Sequence, residues 1–573
     1  MKYIIKHMLM HKKVALWGIT LKTIATLAEL ALPLILEHII DNVAPTGSLS
    51  MMILWGIAMI LISVAAFLLH INANRLASLV ARKSTLGIRH DLFNTTIRLS
   101  AADADRFTVP SLESRITSDT YNIHQFTGMI LRMGIRAPIL LFGGIFVTVF
   151  MDPVLTLVMV VLLPIIACSV FFISKKGVPL FTATQKKLDK MIGVLRENAV
   201  GIRVIKALTK YDYEKRRFDD ANKEHVKSEK IASMTMSSVN PIMNAVLNIG
   251  TTLVIFFGAY RVMGKQMEPG AIISFIQFFT MISTSMMAVT RIFVMYSKAS
   301  ASANRVAEVI ETPESLLSEK IEDYPCRSRE YHVEFKDVSF SYNGKINNID
   351  NVSFALKRGE KLGIIGATGS GKSTLIYLLM RFYDVDSGGI YIDGRDIRTY
   401  DKETLHKMFG VALQNDFIRN GSIEDNIRFD RELSREQIEK GSRLAQAKDF
   451  IEDKEGGFDF VLNSKGTNLS GGQRQRILVS RALSGDPDIL ILDDSSSALD
   501  YKTDAALRKA IFSEMNSSTV FIVAQRVSSV MQCDRILVLD EGMPIAYGTH
   551  DELIETCEIY KEISMSQMGG EVE

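Results

Sequence analysis

Apolar positions gather in six long blocks in the first half of the chain, and beyond about residue 300 they give way to short runs between charged and glycine-bearing segments. The blocks cover Val14–Val43, Met51–Asn74, Phe126–Phe150, Val154–Ser174, Asn240–Met263 and Ala271–Tyr296. As a helix, the second would extend roughly 36 Å, enough to cross about 30 Å of hydrocarbon with some tilt. Six membrane-spanning helices are therefore expected. Their connections alternate in length: Pro45-Thr46-Gly47 and Asp152-Pro153 mark tight turns, whereas Arg75 to Gln125 and Lys175 to Val239 are long, charged and helix-patterned. Lys and Arg crowd the long loops and the N-terminus, which places both in the cytoplasm by the positive-inside rule. Arg261 and Lys265, in the turn between spans five and six, run against that rule and are outnumbered.

Composition adds exclusions. With 47% hydrophobic residues and a net charge of +2, the chain has no basic stripe for nucleic acid. Cys168, Cys326, Cys533 and Cys557 lack CxxC spacing, which argues against a zinc site or disulfide framework and suits a reducing cytoplasm. Met1 to Lys13 is basic but leads into a long helix without a small-residue cleavage site, so no removable signal peptide is expected. The short connections and the absence of a transit peptide favour a bacterial plasma (inner) membrane.

Ionisable residues inside the spans are costly in lipid and usually face a cavity or a partner helix. They are Lys22, Glu29 and Glu37 in the first span, Arg132 and Arg136 at the start of the third, and Arg291 in the sixth. Interhelical pairing or snorkelling is the plainer expectation; Glu29, nearest the middle of its span, is the candidate for attracting a cationic substrate. Met281, Met286, Met287 and Met295, with Phe275, Phe278, Phe279 and Phe293, enrich the sixth span. They could line a pocket for varied hydrophobic shapes or simply pack against neighbouring helices.

Past Glu311 the character changes. Thr312 to Glu330 is polar, contains Pro313 and Pro325, and is expected to be a linker (312–330) between a membrane domain (1–311) and an α/β domain (331–573). In the latter, Lys361 to Ile365 is a short apolar strand and Ser373 to Arg381 reads as a helix. Between them lies Gly366-Ala367-Thr368-Gly369-Ser370-Gly371-Lys372-Ser373, a phosphate-binding loop. Lys372 would reach the β and γ phosphates of ATP and the Ser373 hydroxyl would ligate Mg2+. Ile489 to Leu492 form a buried strand ending in Asp493, whose carboxylate can hold the same metal.

The order and spacing of these motifs, with Leu469-Ser470-Gly471-Gly472-Gln473 between them, resemble an ABC exporter half-transporter, six spans fused to an ATP-binding cassette, over nearly the full length. The resemblance implies that Tyr342 stacks on adenine and that Thr374 belongs with the phosphate loop. It further implies that Gln414, in Val411-Ala412-Leu413-Gln414-Asn415-Asp416, touches magnesium. Ser470, Gly471, Gly472 and Gln473, before a helix expected to start near Gln473, would face ATP held by a second subunit.

Three positions depart from the family pattern, two of them at the catalytic site. Asp494 stands where the family has Glu, and Gln525, ending the apolar strand Thr519 to Ala524, where it has His; Ser464 also replaces a usual Glu. An aspartate is shorter by one methylene, and glutamine cannot carry the charge or exchange the proton of imidazole. A nucleotide site that binds ATP but hydrolyses it slowly, beside an intact signature, is what the resemblance implies for one half of a heterodimer; a homodimer with two slow sites is the competing reading. Glu113 to Asp119 and Gly201 to Ala207 resemble the segments flanking the coupling helices, which are expected near Asp119 to Gln125 and Leu208 to Arg217. The expected function is ATP-driven export of amphiphilic, multidrug-type compounds across the bilayer, with lipid or peptide cargo, or an ATP-responsive gate, as alternatives.

Overall fold

A computed structural model describes residues 1–319, 329–414, 417–495 and 498–568. Cys326, Asn415, Asp416 and residues 320–328 of the expected linker fall outside that range. The chain divides into two compact units, one of Met1–Ile97 with Thr108–Thr312, the other of Arg98–Phe107 with Pro313–Glu573.

The first unit contains six helical segments long and apolar enough to cross a membrane: Lys12–Thr46, Leu49–Thr96, Val109–Met151, Pro153–Val200, Tyr211–Met263 and Pro269–Ile310. Each expected span lies inside one of them. The long loops are largely continuations of these helices; Pro153–Val200 runs for 48 residues, about 70 Å at the α-helical rise. Its start is fixed locally: Asp152 Oδ1 accepts from the Val154 and Leu155 amides at 2.8 and 3.0 Å, and Pro153 occupies the first helical position. Arg261 forms an ion pair with the same buried Asp152 at 2.5 Å, which accounts for a basic residue on the face where few were expected.

The membrane core sits around the sixth span. Phe275, Phe278, Phe279 and Ile282 are fully buried with Leu155, Met159 and Val254. Gly250 lets the fifth span approach so closely that a Cβ there would collide with the Phe279 ring. The three phenylalanines are thus packing residues and not pocket walls, a correction to one of the two expectations. Phe293 is exposed, and Met286 and Met287 are half-buried against Ile166 and Met243.

The expected positions of the coupling segments also need correction. Asp119 is buried inside the first unit, where its carboxylate accepts from Ser302 Oγ at 2.8 Å and from Arg305 at 2.9 and 2.5 Å. The helix Thr120–Pro138 then runs straight on towards the third span. The part of the first long loop that joins the cassette unit is instead Arg98–Phe107, with a short helix Ala101–Phe107. It ends at Thr108, whose φ of +61° turns the chain into the next helix, Val109–Ser114, with Pro110 in its first turn. At the second loop, the short helix is Ile202–Ala207, and the long return helix already begins at Tyr211.

The second unit is built on two sheets. A six-stranded sheet runs in the spatial order Met543–Gly548, Arg535–Asp540, Lys361–Gly366, Thr519–Val523, Ile489–Asp493, Phe409–Ala412, parallel except at the first pair. Its central strands are buried on both faces, as their unbroken apolar runs require. An antiparallel sheet of Ile349–Leu356, Val333–Phe340, Ser387–Ile392 and Arg395–Asp396 packs its apolar face, including the stacked Phe335 and Phe354, into the same core. Pro313 to Glu319 are held by this unit: Arg381 donates to the Leu317 carbonyl, Ser318 Oγ to the Tyr400 carbonyl and the Glu319 amide to the Arg398 carbonyl. Cys533 is buried, which pushes its thiol up to about 12 and leaves it inert, as expected for an idle cysteine.

Candidate functional site

The strand Lys361–Gly366 and the helix Lys372–Leu379 meet at the glycine-bearing loop, the helix starting one residue earlier and ending two earlier than its apolar pattern suggested. Gly371 sits at φ +96°, and a Cβ there would come within 2.8 Å of the Asn348 carbonyl, so glycine is required on both counts. Lys372 is buried and folds back over the loop, its Nζ donating to the carbonyls of Gly366 and Ala367 at 2.9 and 2.6 Å. Burial holds its ammonium below the usual lysine range, against the pull of Asp493 and Asp494.

Asp493 ends its strand directly opposite: Ser373 Oγ donates to its Oδ2 at 2.8 Å. Burial pushes the Asp493 carboxyl above the usual range, and the Asp494 charge adds to the shift. Asp494 itself adopts a left-handed backbone, φ +49°, and its amide donates to the Val523 carbonyl at 3.0 Å. Burial raises its carboxyl too, with Lys372 and Arg526 opposing. Gln414 reaches the same spot, its Nε2 at 3.5 Å from Asp494 Oδ2.

A single cavity of about 520 Å³ is lined by Thr368, Gly369, Gly371, Lys372, Ser373, Thr374, Gln414, Asp493, Asp494 and Gln525. Gly366 and Ser370 shape the loop from behind. Gly366 abuts the Leu539 carbonyl too closely for any side chain, and the Ser370 carbonyl accepts from the Gly542 amide at 3.2 Å. Tyr342 lies beside the cavity and not in its wall: its hydroxyl donates to Thr374 Oγ1 at 3.3 Å, and its ring meets Phe340 and Tyr383 edge-on.

The sequence reading missed several contributors. Asn348, Glu541 and Gly542 complete the cavity. Asp540-Glu541-Gly542 is legible as a tight turn between apolar runs, but nothing local says that it abuts the phosphate loop. Gln475 ties the signature helix to the strand end, donating to the Asp494 carbonyl at 2.9 Å and accepting from the Ala498 amide at 3.0 Å. Gln567, from the helix Glu558–Met568, donates to the Gln525 carbonyl at 2.9 Å and accepts from the Val527 amide at 2.8 Å. The Ala101–Phe107 helix is anchored by Tyr383, whose hydroxyl donates to Asp105 Oδ2 at 2.6 Å beside Tyr342. Burial and this bond hold the Tyr383 phenol above its ordinary range, so it stays a donor.

The signature helix is Gly471–Leu483, starting two residues before the expected Gln473 because Ser470 and Gln473 form a reciprocal capping box. The Gln473 amide donates to Ser470 Oγ at 3.2 Å, and the Ser470 amide donates to Gln473 Oε1 at 3.1 Å. Gly472 allows the Ala498 carbonyl to approach; a Cβ there would lie 3.1 Å from it.

A strand-to-helix phosphate loop, a facing strand ending in Asp493 and a capped Ser-Gly-Gly helix, in a chain with six spans, describe an ATP-powered transporter. Two family models match: "ABC transporter transmembrane region" over residues 15–286 and "ABC transporter" over residues 349–497. An uncharacterized ABC transporter ATP-binding protein of Bacillus subtilis, YfiB, is 33% identical over 550 residues, 95% of this chain and 94% of that one. The chain belongs to the ABC transporter family. Other ABC relatives include an uncharacterized transporter ATP-binding protein of Mycobacterium tuberculosis (30% identity, 98% of this chain and 97% of that one). An ATP-dependent lipid A-core flippase of Vibrio vulnificus is also 30% identical, over 86% of this chain and 84% of that one. A solved bacterial Atm1-family ABC exporter with ATP bound superposes with a TM-score of 0.81 over 98% of both chains at 21% identity, which shows the ABC exporter fold. The protein is thus a multi-pass membrane protein whose cassette binds ATP.

Proposed function

We propose that this chain is one subunit of a heterodimeric exporter of amphiphilic molecules, and that its own nucleotide site holds ATP while hydrolysing it slowly. The observation that carries the reading is the shared wall of Lys372, Ser373, Asp493, Asp494 and Gln525: the binding half is complete and the hydrolytic half is altered. Lys372 would exchange its two loop carbonyls for the β and γ phosphates. Ser373, Asp493 and Gln414, already converging, would hold Mg2+, which neutralises charge on the phosphates. Tyr342 would stack on the adenine next to Thr374.

Asp494 would orient the attacking water with a reach about 1.5 Å shorter than glutamate. A misplacement of about 1 Å can lower a rate ~100-fold. Gln525 can donate or accept a hydrogen bond near the γ-phosphate but cannot supply charge. The signature, by contrast, is intact and preformed by its capping box, fit to complete a partner's site. ATP binding would close two cassettes on each other, and the Tyr383–Asp105 bond gives the Ala101–Phe107 helix a direct hold on the cassette next to the adenine site. Hydrolysis at the partner-supplied site would reset the cycle.

The test is co-purification from the source cell followed by ATPase and vesicle transport assays on the pair and on this chain alone. The expected result is a second half-transporter carrying Glu and His at the matching positions, with rapid turnover in the pair only. Brisk ATP consumption and transport by this chain alone would reject the reading. ATP turnover by the pair without movement of any amphiphile into inside-out vesicles would favour a gate over an exporter.

A further inference from the structure

Three spans contribute polar side chains that the nucleotide cycle leaves unexplained. Lys22 and Glu29 come from the first; His70, Asn74 and Ser78 from the second, spaced four apart and so on one helix face; Arg132 and Arg136 from the third, one turn apart. They meet in rungs across the helices. Arg132 Nη1 donates to Ser78 Oγ at 3.3 Å, and Lys22 Nζ to Asn74 Oδ1 at 3.1 Å. Deeper in, Arg136 donates twice to Glu29, at 3.0 and 2.5 Å, and His70 Nε2 lies 3.3 Å from the same carboxylate.

The ladder holds three lysine and arginine side chains and one carboxylate, and that carboxylate is bound to Arg136. Glu29 is therefore not available to a cationic substrate. Lys22, only 5% exposed, has a neutral amide as its partner, and Arg132 a hydroxyl. A cation removed from water without a counter-ion is strongly disfavoured. The Lys22–Arg132 end is short of negative charge.

Its depth can be read from the chain's two tryptophans, residues that favour membrane interfaces. His38, at the far end of the first span, touches Trp55 at 4.7 Å between ring centroids. Along that span, Trp17 to His38 covers about 32 Å of helix, close to the ~30 Å of a hydrocarbon core. Trp17 is 61% exposed, and Gly18 beside it packs against Leu76 of the second span, one residue from the exposed Arg75. Lys22 thus lies about 8 Å inside the interface on the side of the long loops. Exposed Ile24, Leu27, Phe67 and Leu68 begin within two turns of it and offer hydrocarbon contact.

We infer that Lys22 and Arg132 bind the anionic headgroup of an amphiphile, a phosphate or carboxylate carried on a hydrocarbon tail, arriving from the leaflet on the long-loop side. This names the cargo class of the proposed exporter and rests on that reading for the transport step, while the binding step stands by itself. The neutral Glu29–Arg136–His70 rung marks the inner limit of the headgroup site.

Trp17, little more than one turn from Lys22, supplies the probe. The full-length Trp55→Phe protein in phosphatidylcholine nanodiscs is titrated with brominated phosphatidylglycerol or brominated phosphatidylcholine, and quenching of Trp17 is recorded. A preference of about ten-fold in apparent affinity for the anionic lipid is expected, the ratio that one charge-assisted contact readily supplies. Lys22→Gln and Arg132→Gln should each erase most of it, and Lys22→Arg should keep it; if Lys22→Gln does not fold, Arg132→Gln carries the test. Equal quenching by both lipids, or a preference indifferent to both glutamines, would overturn the inference. Millimolar inorganic phosphate should leave the preference intact, and displacement by phosphate alone would overturn the assignment to an amphiphile. ATP-driven uptake of a cationic dye without an anionic preference defeats this inference alone; an anionic preference without ATP-driven movement defeats the exporter reading alone.

Discussion

Two buried lysines show how differently the halves of this molecule treat the same side chain. Lys372 in the cassette donates to two main-chain carbonyls and feels two carboxylates, Asp493 and Asp494. Lys22 in the membrane domain is at least as buried, yet its hydrogen-bond partner is one amide oxygen, Arg132 and Arg136 lie near it, and the carboxylate it feels, Glu29, is already bound to Arg136. The first is stored in a balanced nest until phosphate competes for it. The second is left unbalanced, which argues that its balance comes from outside the chain.

The comparison breaks most visibly at Arg136, the ladder cation bound to a carboxylate. Arg136→Met leaves the Glu29 carboxylate half-buried without its main partner, and removing one member of such a pair costs about 3–5 kcal/mol. Because Arg136 keeps 39% of its side-chain surface exposed, the lower end is expected, seen as a fall in the thermal midpoint of detergent-solubilised protein. On the cassette side, Asp494→Glu with Gln525→His should raise hydrolysis at this chain's own site by about 100-fold, measured with the partner's site silenced; no increase would reject the proposal that these two residues slow it. Tyr383→Phe removes one hydrogen bond to a carboxylate, worth about 1.5–3 kcal/mol, and should weaken substrate stimulation of ATP turnover more than basal turnover. The smallest effect sharpens the comparison: Lys22→Met removes an unbalanced cation and should leave stability unchanged or raise it by about 1 kcal/mol in the same thermal assay.

The spans, the phosphate loop and the strand ends that carry Asp494 and Gln525 were legible in the sequence, because each is a local pattern: unbroken apolar length, glycine spacing, a polar residue closing an apolar strand. What escaped were contacts made by long polar side chains across large separations. Gln475 and Gln567 each bond main-chain groups beside the cavity, and no periodicity announces either. The first loop tip was misplaced for a related reason. Apolar periodicity finds helices but not the residue where a helix turns back, and Thr108 with Pro110 was the available signal. Glu29 was singled out by its depth in the span; only the fold could show Arg136 already bound to it.

The Ser470–Gln473 box has a consequence for subunit recruitment. A loop that had to order itself on docking would spend part of the association energy on lost chain freedom, at about 1–2 kcal/mol per residue. Here the helix cap is closed by bonds within this chain, so a companion cassette bringing nucleotide would meet a finished template, and the union should form with little reshaping on this side.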